Sequence, residues 1–534
     1  MRSTTSRRPT TPAEDRISSI IYSAFDGGID LSRPSNIQDA NRFRRLKNAY
    51  VTPGKAVRKR PGARYRWSWG PGVKGLYPGP GDLTGFWGDG NADVQHPTAV
   101  PFVQDAGQYR TTRLRAAGGG SAPGNVIQSI ETAFLVAGSM YAVATTDLGI
   151  RHHYAAGTGD TAIVDVNCPQ GATAIPIASK VFGGDAEGVV RFSKTDDPAD
   201  WTATDDAGFL PTNRKTRSLS SVAALGEFNG LLVVSTGDAA QLWEVDPDPA
   251  AMRFSKTIAV GQVAGDTGAN VGADFFFLSQ PGVRSIVLNS QAGNAMDLDV
   301  GVPIDRLALE LMSTGAGQLF ARYLPSLGQF WLVRGARALV YSFSRTAKVY
   351  AWSEYEFPWS IAGVADFAGG AYLRSDAGDL YQLDADYPYD DDAGAAVAGG
   401  AGDRNPLVWS VSMPTAGITV PMVLIESPFY DMKSPASLKQ IHAMDVVTTR
   451  DADPIIVGLD RSFQITHLFR SDSGGGLYEA GPIVLTDHQD DSRPGGALPV
   501  GLMAPSIAVR LEHQAGERFE LSALVYHFDN LGVT

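Results

Sequence analysis

The feature that most constrains this chain is a series of short apolar segments that turn back on themselves at Gly-bearing breaks. Thr132–Val136 turns at Ala137-Gly138 and Met140–Thr145 returns. Phe228–Ser235 leads through Thr236-Gly237-Asp238 to Gln241–Val245, and Phe275–Leu278 through Gln280-Pro281-Gly282 to Val283–Leu288. Phe330–Val333 turns at Arg334-Gly335-Ala336 into Ala338–Phe343, with Lys348–Trp352 following. Ala371–Arg374 turns at Ser375-Asp376-Ala377-Gly378 into Asp379–Leu383. Glycine supplies the positive φ that tight hairpins need. The sets recur about every 40–60 residues, the size of a four-stranded propeller blade. The pattern predicts an all-β chain built as a β-propeller. Trp243, Trp331, Trp352 and Tyr381 are expected on outer strands, packing between blades. A stack of β-sandwich domains is the competing architecture.

Helical signal is confined to Asn36–Ala49 and Val302–Met312, where Pro303 suits a first turn. Four regions are expected: a basic N-terminal arm or platform over 1–70, blades over 71–383, a flexible acidic Gly/Ala-rich loop over 384–403, and a β-rich part over 404–534. That last part reads either as final blades or as a sandwich. Its expected strands are Val408–Val411, Ile441–Thr448, Pro454–Leu459, Phe463–Phe469, Ser506–Leu511 and Phe519–Phe528.

Charge is placed unevenly. The chain carries a net −12, yet residues 1–70 hold 15 Lys/Arg against 5 Asp/Glu, leaving +10 there and −22 on the remainder. Ten basic and no acidic residues lie between Asn41 and Arg66. Such a segment either docks on an acidic surface, its own or a neighbour's, or contacts nucleic acid. An acidic body is the wrong sign for wrapping DNA, but it suits a wall past which DNA slides. Docking is the expectation, through Arg42, Arg44, Arg45, Lys47, Arg58, Lys59 and Arg60.

The lone Cys168 excludes an intrachain disulfide and a cysteine-based zinc cluster. No apolar run reaches the length of a membrane helix, and Met1–Ile20 lacks the apolar core of a secretory signal. There is no G-x-S-x-G, H-E-x-x-H or Walker A motif. His152-His153 lacks a third ligand nearby in sequence, and Gly157–Ala162 reads as a loop. Asp384–Asp392 offers oxygens for Ca²⁺ without EF-hand spacing, so a solvated loop is expected. Ser375–Gly378 resembles the structural Asp-box turn of sialidase propellers. No catalytic residue, metal or cofactor is expected, although two carboxylates meeting in the fold to cleave a glycan stay open at this level.

Asp26-Gly27-Gly28-Ile29, Leu46-Lys47-Asn48-Ala49-Tyr50-Val51 and Val57-Arg58-Lys59-Arg60-Pro61-Gly62 together resemble the opening of the tail hub proteins of short-tailed phages. These are also called nozzle, tail tubular protein B or packaged-DNA stabilisation proteins. Further stretches follow in the family's order. They are Phe192-Ser193 with Asp197–Thr202 around Trp201, the Phe228–Trp243 hairpin, Phe277–Arg284 with Val302–Asp305, and Val349–Tyr355 around Trp352. The resemblance runs from Asp26 to about Leu383. It implies a virion protein assembled in the host cytoplasm, six copies forming the lower tail tube beneath an adaptor ring. It also implies contact with DNA in the channel, gating of its exit, and attachment of fibres or a needle. The competing expectations are a tail-tip or receptor-binding propeller of another phage, and a bacterial glycan-binding propeller or enzyme.

Overall fold

The computed structural model describes residues 17–68, 165–392 and 418–533 apart from short internal stretches, and strand backbones at 73–78, 83–88, 109–114, 127–136, 139–146, 152–155 and 159–162. Among these residues, seven innermost strands approach one another in a closed ring. They are Val73–Pro78, Ile127–Val136, Ala174–Ile177, Ala224–Phe228, Ala269–Val271, Leu319–Leu324 and Ile361–Phe367, with the last returning to the first. The protein is a β-propeller, and the ring defines blades I to VII in that order.

Blades III to VI are four-stranded antiparallel meanders. Blade IV runs Ala224–Phe228, Leu231–Ser235, Ala239–Glu244 and Arg253–Ala259. Blade VII draws three strands from Ile361–Phe367, Gly370–Ser375 and Asp379–Asp384. Its fourth, Gly62–Ser68, comes from the N-terminal region and pairs antiparallel with Asp379–Asp384. The propeller is therefore closed by a strand more than 300 residues from its partner, as the Gln382↔Arg64 pairing shows.

The outermost strand of blade VI, Val349–Glu356, does not end its sheet. Arg45–Lys47 adds parallel to it, and Val423–Glu426, Ile507–Gln514, Ser462–Arg470 and Leu477–Leu485 continue in that order. A second sheet runs Leu498–Ala504, Ser437–Asp451, Arg518–Val533, Val57–Lys59 and Ala49–Val51, with Ser18–Ser23 also on Arg518–Val533. Ile425, Phe463, Ile465, Val509 and Leu511 of one sheet share a core with Ile441, Met444, Val446, Leu524 and Tyr526 of the other. The C-terminal region is thus a β-sandwich rather than further blades. The same core takes in Phe276, Phe330, Leu332 and Trp352 of blades V and VI, so propeller and sandwich share one interior. Each such side chain removed from water contributes about 1.5–3 kcal/mol.

Two sequence expectations are corrected. Asn36–Ala49 is not a helix: Arg42–Phe43, Arg45–Lys47 and Ala49–Val51 are strands. Phe43, Leu46, Ala49 and Val51 are buried, and Asn48 breaks the run at φ 52°. Tertiary pairing overrides helix propensity here. Phe228–Ser235 is not one strand but two, turning at Asn229-Gly230 with φ 49° and 76°, the doubly positive turn that Asn-Gly favours. The helix at the other site does form, as a 3₁₀ turn Val302–Ile304 running into Asp305–Ser313 with Pro303 in its first turn. Val408–Val411, Pro454–Leu459, the 393–403 stretch and the side chains of His152 and His153 lie outside the described residues.

Candidate functional site

The N-terminal residues that carried the resemblance converge, with Trp352, on the joint between propeller and sandwich. Arg60 is at its centre, with a side chain wholly removed from solvent. Its Nη1 donates to Asp390 Oδ1 at 2.8 Å and to Pro61 O at 3.0 Å. Its Nη2 donates to Glu356 O at 2.8 Å and to Asp390 Oδ2, and its Nε to Asn48 Oδ1 at 3.0 Å. The guanidinium also stands 4.0 Å from the centre of the Phe357 ring. Every polar direction of a buried cation is thereby used, as burial requires.

Asn48 is a three-way clasp. Its Oδ1 also accepts from Glu356 N at 2.9 Å, and its Nδ2 donates to Met422 O at 2.9 Å. One side chain so links the N-terminal segment, blade VI and the chain entering the sandwich. Asp390 additionally accepts from Ala63 N at 3.0 Å. Asp391 accepts from Tyr65 N at 2.8 Å and from the Tyr387 hydroxyl at 2.5 Å. Asp384–Asp392 is therefore not a solvated loop. Asp390 is 1% exposed, and the carboxylates of Asp390 and Asp391 are engaged by protein donors. Burial, with the Asp391 carboxylate beside it, raises the Tyr387 hydroxyl far above its usual pKa and keeps it a donor.

Glycines permit the close approach. A Cβ on Gly62 would lie 2.1 Å from Tyr389 O and 2.2 Å from Tyr387 O. Gly28 sits at φ +60° opposite Trp352, where a Cβ would come 2.5 Å from Trp352 N. Trp352 in turn donates from Nε1 to Val300 O at 2.9 Å. Gly27 leaves room for Arg42, whose Nη1 donates to Gly27 O at 3.3 Å. The Phe277–Arg284 and Val302–Asp305 stretches meet through Arg284, which holds Asp305 by paired contacts of 3.1 and 3.2 Å. Trp201 closes its own turn from Nε1 to Pro198 O at 2.9 Å. Trp243 donates to Gln241 Oε1 at 3.0 Å and packs between blades III and IV.

The expected docking set does not survive as one exposed surface. Lys59 is buried and donates from Nζ to Ala515 O at 2.8 Å. Burial, then the neighbouring Arg60, pulls its pKa down to about 7. Arg60 is consumed by Asp390. Arg58 pairs with Glu520 at 2.6 Å, Lys47 with Glu356, and Arg42 with Asp30 at 3.8 Å. The basic segment docks on acidic groups of its own chain. Arg44, Arg45 and Lys59 of the seven lack a carboxylate partner among the described residues, Arg45 being exposed, Arg44 half-buried and Lys59 buried on backbone carbonyls. Asp390, Tyr387 and Phe357 were not foreseen, because no local pattern marks an acidic loop as the partner of an arginine 330 residues away.

The inter-blade role expected of the aromatics holds for Trp243, Trp331 and Tyr381. Trp331 and Tyr381 share the core of blades VI and VII with Trp359, whose ring stacks on Tyr381 at 4.1 Å. Only Trp352 is on an outermost strand, and its core is shared with the sandwich. Among the described residues no cluster of three His, Cys, Asp or Glu side chains is placed to hold a metal ion.

No protein-family model matches the sequence, and no curated protein does. Among solved structures, BamB from Moraxella catarrhalis aligns at TM-score 0.32 and 10% identity, over 51% of this chain and 71% of that one. A chain of the mitotic checkpoint complex aligns at 0.33 and 11%, over 72% and 99%. The Pan2 WD40 domain of Neurospora crassa aligns at 0.34 and 10%, over 60% and 88%. Similarity this low bears on no function.

Proposed function

We propose that this chain is a structural subunit of a short-tailed phage tail hub, six copies of which form the lower tail tube. In this reading the ring docks beneath an adaptor, lines and gates the DNA exit, and offers attachment for fibres or a needle. The observation that carries it is the convergence of the family-like stretches. Gly28 meets Trp352, Asn48 and Arg60 meet Glu356, and Arg284 meets Asp305. The N-terminal stretches and Val349–Tyr355, taken in the family's order, are among those that fasten this molecule together. A rigid joint between ring and sandwich suits a part that bears load, and the role calls on no catalytic residue.

The test is native mass spectrometry of the purified full-length chain with negative-stain imaging, and immunogold labelling of intact particles. Sixfold rings, and label at the tail, are expected. A chain that is monomeric under all conditions and binds or cleaves glycans, or one absent from particles, refutes the proposal.

A further inference from the structure

One face of the sandwich gathers aromatic groups and basic groups whose charges meet little or no carboxylate among the described residues. Arg44 donates from Nη1 to Arg33 O at 3.3 Å, and Arg44 N bonds Glu426 O. Three residues beyond Pro34, Ile37 is 63% exposed. The adjoining turn brings Phe429, bonded from its N to Ser35 O, under the Arg470 guanidinium at 5.6 Å. Arg470 pairs across its hairpin with Leu477, and Phe469 with Tyr478. Leu477 and Tyr478 are each about half exposed. Among the described residues neither Arg44 nor Arg470 has a carboxylate within ion-pair distance, and Arg33 reaches only the exposed Asp39 at 3.7 Å. Cationic heads around exposed aromatic and aliphatic side chains are the composition of a docking surface for an acidic partner.

The propeller offers the complement. At the rim of blades III and IV, Thr195 Oγ1 donates to Pro247 O at 3.3 Å and joins two acidic turns. Asp196, Asp197, Asp246 and Asp248 lie on them, and none is paired with a cation among the described residues. Asp196, Asp246 and Asp248 are exposed. Among the described residues no ion pair joins this rim to the basic face.

We infer that the basic face around Phe429 docks on the acidic rim of blades III and IV of a second copy of this chain. The inference rests on the hub reading and names its subunit contact. Two different surfaces meeting head to tail repeat around an axis, and such contacts close into a ring when the rotation between copies closes and run on as a filament when it does not. The excess negative charge on the rest of the chain favours this partner over nucleic acid, whose phosphates the acidic body repels.

Oligomer mass is the measurement, by sedimentation at low and high salt, on wild type, on Arg33→Glu/Arg44→Glu/Arg470→Glu and on Asp246→Lys/Asp248→Lys. Each variant is expected to lose the ring while keeping the wild-type melting temperature, and mixing the two is expected to restore pairwise association. Wild-type assembly should weaken as salt shortens the screening length to about 3 Å near 1 M. Rings that persist in both variants overturn the contact and leave the hub reading standing. Retained rings with lost binding to a single-stranded oligonucleotide assign the face to nucleic acid instead. A wild type that stays monomeric at every salt overturns both.

Discussion

Asp390→Ala tests the joint directly. The substitution leaves the Arg60 guanidinium with a buried positive charge and removes its two carboxylate contacts, together with the acceptor for Ala63 N. Breaking one side of a buried, hydrogen-bonded pair costs about 3–5 kcal/mol. Arg60 keeps Asn48 Oδ1, Pro61 O, Glu356 O and the Phe357 face, so the lower end applies. The loss is local to the contact between Gly62–Ser68 and the Asp390 turn. Amide exchange in a peptide spanning Gly62–Tyr65 is the assay. At about 1.4 kcal/mol per tenfold, exchange should quicken by about two powers of ten. Replacing both partners, as Arg60→Met/Asp390→Leu, removes the charges together and should cost far less than the summed single changes. Exchange within threefold of wild type in Asp390→Ala, or strict additivity in the cycle, would show that the pair does not hold the joint.

Other outcomes follow from the same geometry. Gly62→Ala forces a Cβ to within 2.2 Å of two carbonyls and should cost at least about 3 kcal/mol in thermal unfolding, whereas Gly230→Ala, at φ +76° in open space, should cost about 1 kcal/mol. Lys59 is held at a pKa of about 7, below its ordinary 10.5, so the unfolded chain binds the extra proton between those values and stability contributed there rises with pH. Lys59→Met should therefore flatten the climb in melting temperature from pH 7 to 10, and an unchanged climb would assign it to other groups. Deleting residues 1–70 removes the fourth strand of blade VII and four strands of the sandwich, so circular dichroism should report loss of fold, not merely loss of docking. A soluble, native-like deletion product would refute the closing role of Gly62–Ser68.

Local rules made the propeller legible. Gly335 at φ 59° and Gly378 at φ 83° sit in turns that the alternation of apolar runs and Gly-bearing breaks marks out. The Val302–Met312 helix was readable from Pro303 and its apolar spacing. Asn36–Ala49 misled because Phe43, Leu46 and Ala49 fit a helical stripe and also fit three short strands, and only distant partners such as Glu354 and Glu426 decide between them. The docking set misled for a related reason. Charge counts along a sequence cannot tell an arginine that will meet Asp390 inside the fold from one, like Arg45, that stays in water. Arg470 and Phe429 escaped notice because their contact joins segments that carry no shared motif.

The pairing of Ser18–Ser23 and Val57–Lys59 with Arg518–Val533 has a consequence for synthesis. A portion made early is completed by one made much later, as the Arg58–Glu520 bond across 462 positions illustrates. Until Arg518–Val533 is made, Ser18–Ser23 has no ladder to join and Val57–Lys59 has only Ala49–Val51, and contacts this remote form slowly. A prematurely ended translation product cannot finish its own architecture. A chain stopped before Arg518–Val533 carries its N-terminal strands without the long strand that holds them.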